Sequence, residues 1–232
     1  MCGRYASSRR PAELAEHFGV TDVPEERLEP SFNVAPTDPV YIVRAGEAGA
    51  RELRVVRWGL VPSWAKEARV GARHINARAE TLATTPAYRS AYRRRRCLVP
   101  ADGYYEWQAA AGRKQPFYLS AKGGAPLAMA GLYEVWHPPG GTGEPLWTCT
   151  VVTTSAPDEH AAVHDRTPML VPPERWADWL DPTVGQPHGL LVPGTPGVLD
   201  AWPVGAAVGN VRNDGPELRQ PVALDSVQPH LL

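Results

Sequence analysis

The chain has 232 residues, 43% of them apolar, and a formal charge of −1 from 24 Lys and Arg against 25 Asp and Glu. That is core enough for a single domain over 1–232, while the balanced charge excludes coating nucleic acid by bulk attraction and leaves only a local patch. Cys2, Cys97 and Cys149 form no CxxC or zinc-type spacing with the seven His, and no apolar run nears the ~20 residues of a membrane span, so the reading is a reducing, cytoplasmic compartment and no structural metal. No cofactor is expected, and the working expectation is a monomer, although the sequence itself carries no sign of oligomeric state.

The chain opens Met1-Cys2-Gly3-Arg4-Tyr5. Residue 2 is small enough for ordinary removal of the initiator Met, which turns Cys2 into a 1,2-aminothiol. Its amine (pKa near ~8) and thiol (near ~8.5) both react at neutral pH, and aldehydes are their natural target. Gly3 leaves room for a substrate. Arg4 is positioned to lower the thiol pKa and to hold a phosphate. The alternative is a frayed terminus with a chance Cys.

Residues 11–18 (PAELAEHF) predict a short helix, with Pro at the first position and Gly19 ending it. A connector through 31–36 leads to β-like runs at 40–44 and 51–58, and Gly46 and Gly49 between them make a hairpin. Segment 59–72 reads as an irregular loop carrying Trp64 and Lys66, since Pro62 and two glycines break any period. Segments 77–83 and 86–95 are compatible with helices. Runs at 98–100, 104–107, 116–120, 127–136 and 147–153 are β-branched or aromatic between Gly and Pro turns. The clearest loop is 138–145. Short helices are expected in 157–163 and 172–180, the latter with a Trp176 and Trp179 pair for the core, and a last β-like run at 189–192. The fold class is α+β: mainly antiparallel sheets curled toward a barrel, with short peripheral helices.

Three further side chains suggest chemistry. Glu106 lies among aromatics in DGYYEW, surroundings that raise a carboxyl pKa and suit a general acid or base; the alternative is an outward strand Glu. His164 is flanked by Asp165 and Arg166, which tune its charge, or is simply exposed. Asn76 caps a helix beginning at Ala77, a role compatible with a substrate contact. The run 93–96 is four Arg, read as a solvated helix end rather than a nucleic-acid patch. Arg4, Arg78 and Arg166 each adjoin a candidate. Trp58, Trp64 and Trp107 offer faces for unpaired bases or else fill the core. No phosphate-binding glycine loop is present, so nucleotide hydrolysis is not expected.

Eight ordered blocks resemble one family: MCGRY at 1–5, FNVAPT at 32–37, RWGLVPSWAK at 57–66, INARAET at 75–81, RCLVPADGYYEW at 96–107, KQPFY at 114–118, VHDRTPM at 163–169 and AVGNVRNDGPELRQPV at 207–222. Together they are similar to the SRAP family, the SOS-response-associated peptidases or abasic-site processing proteins. The resemblance implies a sensor of abasic sites in single-stranded DNA that forms a thiazolidine crosslink through its mature N-terminal Cys. It makes Cys2 the nucleophile and Asn76 the residue that positions the sugar. Glu106 becomes the proton-transfer and Schiff-base residue, with roles in crosslink reversal and β-elimination, and His164 the aid to ring opening. Arg4, Arg78 and Arg166 would hold phosphates, and Trp64 and Trp107 would pack near the lesion. Thr167 stands where members vary and receives no role, and the loop at 137–145 is peculiar to this chain. Two other readings stand beside it: a cysteine peptidase that clips its own Met1, and a non-enzymatic binder of single-stranded DNA.

Overall fold

The structure, a computed structural model, describes residues 2–110, 113–141, 143–185 and 187–224. Its strands in chain order are β1 (Arg4–Ser7), β2 (Ser31–Val34), β3 (Pro39–Ala45), β4 (Arg51–Trp58), β5 (Asn76–Arg78), β6 (Arg96–Ala101), β7 (Gly103–Ala110), β8 (Arg113–Ala121), β9 (Leu127–Trp136), β10 (Leu146–Ser155), β11 (Arg166–Pro168) and β12 (Leu199–Pro203). The α-helices are α1 (Pro11–Phe18), α2 (Arg89–Arg94), α3 (Asp158–Ala161) and α4 (Trp176–Leu180).

Five strands close a barrel. β4, β3, β6, β9 and β10 pair antiparallel in that order, and a short parallel ladder from β10 back to β4 (Thr148↔Arg57, Cys149↔Trp58) completes the ring. Closure leaves these strands no free edge. The curled, mainly antiparallel α+β architecture expected from the sequence is therefore what forms. A second sheet runs β12-β8-β7-β1-β2, and β5 and β11 hang from the last residues of β10.

Period-two patterning sorts the core. Tyr41, Val43, Leu53, Leu98 and Val152 pack with Leu14, Phe18, Tyr92, Trp176 and Trp179 of the helices. Helices do not fit inside a five-stranded barrel, so this set points outward. The alternate residues, Val40, Ile42, Trp58, Val99 and Val151, therefore point inward, and they share a cluster with Cys2, Tyr5, Tyr104 and Leu119 of the second sheet. The Trp pair of α4 is core, as expected: the indoles of Trp176 and Trp179 donate to Val171 O and Cys97 O at 2.7 and 2.8 Å.

The helix expected at 77–83 does not form. Asn76–Arg78 is instead claimed by the ladder to β10 (Val151↔Asn76, Thr153↔Arg78), and a 3-10 turn at Ala79–Thr81 follows, a case of tertiary pairing overriding propensity. The β-like run at 189–192 gives a 3-10 turn, His188–Leu190. The last strand comes later, at β12, where β8 offers an edge. Part of the supposed connector, Ser31–Val34, pairs with β1.

Candidate active site

The start of the chain is threaded into the molecule rather than left at its surface. β1 pairs with β7 (Arg4↔Tyr105, Tyr5↔Tyr104), and just beyond it the Ser8 N–H and hydroxyl donate to Asp102 Oδ2 at 2.7 and 2.6 Å. This fixes Cys2 beside the strand that carries Glu106. Cys2 is fully buried, and its Sγ donates weakly to Arg4 O at 3.8 Å. Its carbonyl accepts the Asn76 Nδ2–H at 2.7 Å, a contact that fixes the amide's orientation. Asn76 Oδ1 is buried, and no described residue gives it a hydrogen bond. The Tyr88 hydroxyl donates to Asn76 O at 3.1 Å, so backbone and side chain of Asn76 are both held. Asn76 caps no helix; it reaches the N-terminal cysteine from β5.

Burial, aided by the nearby Glu106 charge, pushes the Cys2 thiol well above its ordinary pKa. This overturns the expectation that Arg4 lowers it. Arg4 Nη1 is turned away, donating to Asn33 Oδ1 at 2.9 Å and Val208 O at 3.0 Å.

Alternation along β7 places Tyr104 and Glu106 on one face and Tyr105 and Trp107 on the other. Tyr104 joins the cluster that contains Cys2, whereas Tyr105 and Trp107 pack with Tyr118, Val204 and Leu218. Glu106 is only 3% exposed, and burial raises its pKa to about 7. It is therefore not an outward strand Glu but a carboxyl that exchanges a proton near neutrality.

His164 follows α3. Its Nδ1 accepts the Arg166 backbone N–H at 2.9 Å, while Asp165 Oδ1 lies at the same distance. The backbone amide can only donate, so Nδ1 carries no proton and Nε2 bears it. The Asp165 carboxylate is 86% exposed, and water screens it. Burial also lowers the ring's pKa, which favours the neutral imidazole. A cleft of about 580 Å³ is lined by Glu106, Trp107, Ala109, Lys114, Val163, His164, Asp165 and Gly209. A smaller one, of about 320 Å³, lies by β4, away from these groups, and includes Arg54 stacked 3.8 Å over Trp147.

The arginines differ in their engagements. Arg166 grips Glu80 with both Nη atoms (2.6 and 2.9 Å) and donates to Thr153 O at 2.6 Å. Arg78 is exposed. Trp64 is 67% exposed and Trp107 half-buried. Trp58 is fully buried, its indole donating to Ile75 O at 2.9 Å, so it has no face for a base. The solvated reading of 93–96 fails at Arg96, which is 2% exposed and donates to Trp179 O and Tyr92 O at 2.6 and 2.7 Å. There it satisfies orphan carbonyls at the ends of two helices.

Sequence reasoning passed over three groups. Asn33, 3% exposed, accepts from Arg4 and donates from Nδ2 to Val208 O, Asn210 O and Asn213 O at 3.3, 3.0 and 2.8 Å. Its place in the FNVAPT block was the available signal. Glu80 had one too, in INARAET. Tyr104 and Thr167 lie in RCLVPADGYYEW and VHDRTPM, but nothing in the sequence signals the hydrogen bond of 2.8 Å that joins their hydroxyl oxygens. Among the described residues no group of three or more His, Cys, Asp or Glu is arranged for a metal ion, and no helix is long and apolar enough to cross a membrane.

The fold is a closed barrel with a flanking sheet, in which a buried cysteine near the chain's start meets the Asn76 amide and feels the Glu106 carboxyl. The model of the SOS response associated peptidase (SRAP) family matches residues 1–211, and the chain belongs to that family. It is 36% identical over 223 residues to the abasic site processing protein YoqW of Bacillus subtilis, an alignment covering 94% of this chain and 98% of that one. It is 32% identical to the Escherichia coli protein of the same description, YedK, covering 96% and 100%. It is also 32% identical to HMCES of Gallus gallus, covering 97% of this chain and 79% of that one. A crystal structure from Bacteroides thetaiotaomicron shares the fold with a TM-score of 0.85 at 24% identity, covering 96% of this chain and all of that one.

Proposed function

We propose that this protein captures abasic sites in single-stranded DNA by condensing Cys2, freed of Met1, with the aldehyde of the ring-opened deoxyribose. The observation that carries the reading is the convergence on Cys2: Asn76 holds its carbonyl at 2.7 Å, and Glu106 is near enough to bear on its thiol. The relatives described as abasic site processing proteins support it.

The Cys2 amine adds to the aldehyde carbon, and the resulting carbinolamine loses water to give an imine. Sulfur then adds to the imine carbon while the thiol proton passes to nitrogen, closing a thiazolidine. One water is released in all. A thiol with so high a pKa does not ionise alone, so its proton must leave as sulfur attacks. Glu106, titrating near 7, is matched to accept it and to protonate the departing hydroxyl in the step before. The same carboxyl would serve reversal of the crosslink and β-elimination from the imine. Asn76 Oδ1 offers an acceptor to the sugar hydroxyl, and the Nε2–H of His164 a donor to the ring oxygen as the ring opens.

DNA contacts follow the surface. Arg78 is exposed for a phosphate and Trp64 for a base face; Trp107 lines the cleft. Arg4 and Arg166 would meet phosphates only with donors not already committed to Asn33, Val208, Glu80 and Thr153. An abasic site leaves a hole where a base would stand, so no base must be flipped out.

The test is a denaturing gel of the protein incubated with a labelled single strand bearing one abasic site. The parent is expected to give a heat-stable shifted band and Cys2→Ala none. Equal bands from both would remove Cys2 from the chemistry. Absence of any band, with tight binding of intact and abasic strands alike, would leave a simple binder, and proteolysis lost on Cys2→Ala would indicate a peptidase.

A further inference from the structure

Tyr104 and Thr167 are buried hydroxyls that no step above uses. Tyr104 stands two residues before Glu106 on β7, on the same face, in the cluster that holds Cys2. Thr167 follows His164 by three residues and adjoins Arg166 on β11, which pairs with β10 through Thr154↔Thr167. Their oxygens lie 2.8 Å apart, with the residues 1% and 4% exposed. Phe and Val would fill the same volume without burying any polar group, so packing alone does not call for hydroxyls here. What the pair adds is a directed tie between the strand bearing Glu106 and the segment bearing His164 and Arg166. Another tie joins the same two parts, from Gln108 Nε2 to Ala162 O at 2.9 Å, but it is exposed to water.

We infer that the Tyr104–Thr167 hydrogen bond is a positioning clasp that sets Glu106 and His164 at a working distance across the cleft they both line, with Tyr104 backing the Cys2 thiol. The inference rests on the capture reading above and assigns Thr167 a part in it. Neither hydroxyl touches the reacting atoms. They act by holding two parts of the fold in register, and a small displacement of reacting groups costs rate steeply while sparing binding at a distance.

The experiment is a double-variant cycle on the rate of adduct formation at saturating abasic single strand, with affinity for an intact strand and thermal midpoint measured beside it. Tyr104→Phe and Thr167→Val are each expected to slow the reaction about ten-fold, and the double variant no further than either single. Thr167→Ser, which keeps the hydroxyl, should hold the parent rate, and intact-strand affinity should not move in any of them. Parent-like rates in the single variants overturn the clasp, as do losses that multiply in the double variant or that track the thermal midpoint. If Tyr104→Phe fails to fold, the contrast between Thr167→Val and Thr167→Ser decides alone. An inactive parent overturns the capture reading and this inference with it, whereas an active parent with indifferent variants overturns the clasp only.

Discussion

At Glu106 the environment changes the chemistry of a carboxyl. Its ordinary pKa of 4.5 is raised to about 7, first of all by burial. Between those values the folded protein keeps a proton that the unfolded chain has lost, so stability falls as pH rises through the window, and the cost is complete above about 7. For a gap of this size the cost is on the order of 3 kcal/mol. Glu106→Gln removes the ionisation. The variant should therefore exceed the parent in stability at pH 8 by up to about that amount, with most of the difference gone at pH 5, measured by urea unfolding at both pH values. A difference independent of pH would mean that Glu106 ionises normally. At pH 7 the same variant should bind an abasic strand almost as well as the parent and form adduct at least ten-fold more slowly, as expected when proton transfer is lost.

At the scale of elements, the loop over 208–213 gathers on the side chain of Asn33, with Arg4 adding a bond to Val208 O. Asn33 on β2 bonds three of its carbonyls and the guanidinium of Arg4, two residues from Cys2. Asn33→Ala takes a shared partner from groups in a part-buried site, though Val208 O keeps its bond from Arg4, so a loss of about 1–2 kcal/mol is expected in chemical unfolding. Adduct formation should fall further than Arg93→Ala makes it fall, since Arg93 is exposed on α2. Equal effects would make the Asn33 network incidental. The elements also show what local pattern reveals. The helix at 11–18 and the strands at 51–58 and 127–136 were legible to the residue, because a capping Pro and Gly or sustained β-forming runs mark them. β5, β11 and β12 were not, being three to five residues long and existing because β10 or β8 offers them a partner. For the same reason the local sequence at Asn76 suggests a helix cap: nothing local says that its strand borrows its ladder from residues 151–153. The candidate site was legible as residue types and as family blocks, but the contact of Asn76 with Cys2 and the Tyr104–Thr167 bond depend on which strands become neighbours. The thiol was misjudged for a related reason, since Arg4 is adjacent in sequence while its guanidinium points to Asn33.

For the molecule as a whole, a formal charge of −1 leaves the proposed single-strand binding to a few placed cations and exposed rings. Binding should weaken with salt at a slope of about −0.7 per phosphate contacted. Arg78→Ala should flatten that slope by about 0.7, while Arg96→Ala should lower stability and leave the slope alone, because Arg96 is spent on helix-end carbonyls. Trp64→Ala should cost affinity without changing the slope, as the loss of a stacked base does. An unchanged slope in Arg78→Ala would place the DNA on another face. The central claim is tested most directly by mass analysis of the peptide bearing the DNA remnant after the protein reacts with an abasic single strand. The account predicts a peptide that begins at Cys2, without Met1, and weighs one water less than peptide and sugar remnant combined. A crosslinked peptide that still carries Met1, or a remnant attached to a lysine elsewhere, would contradict it.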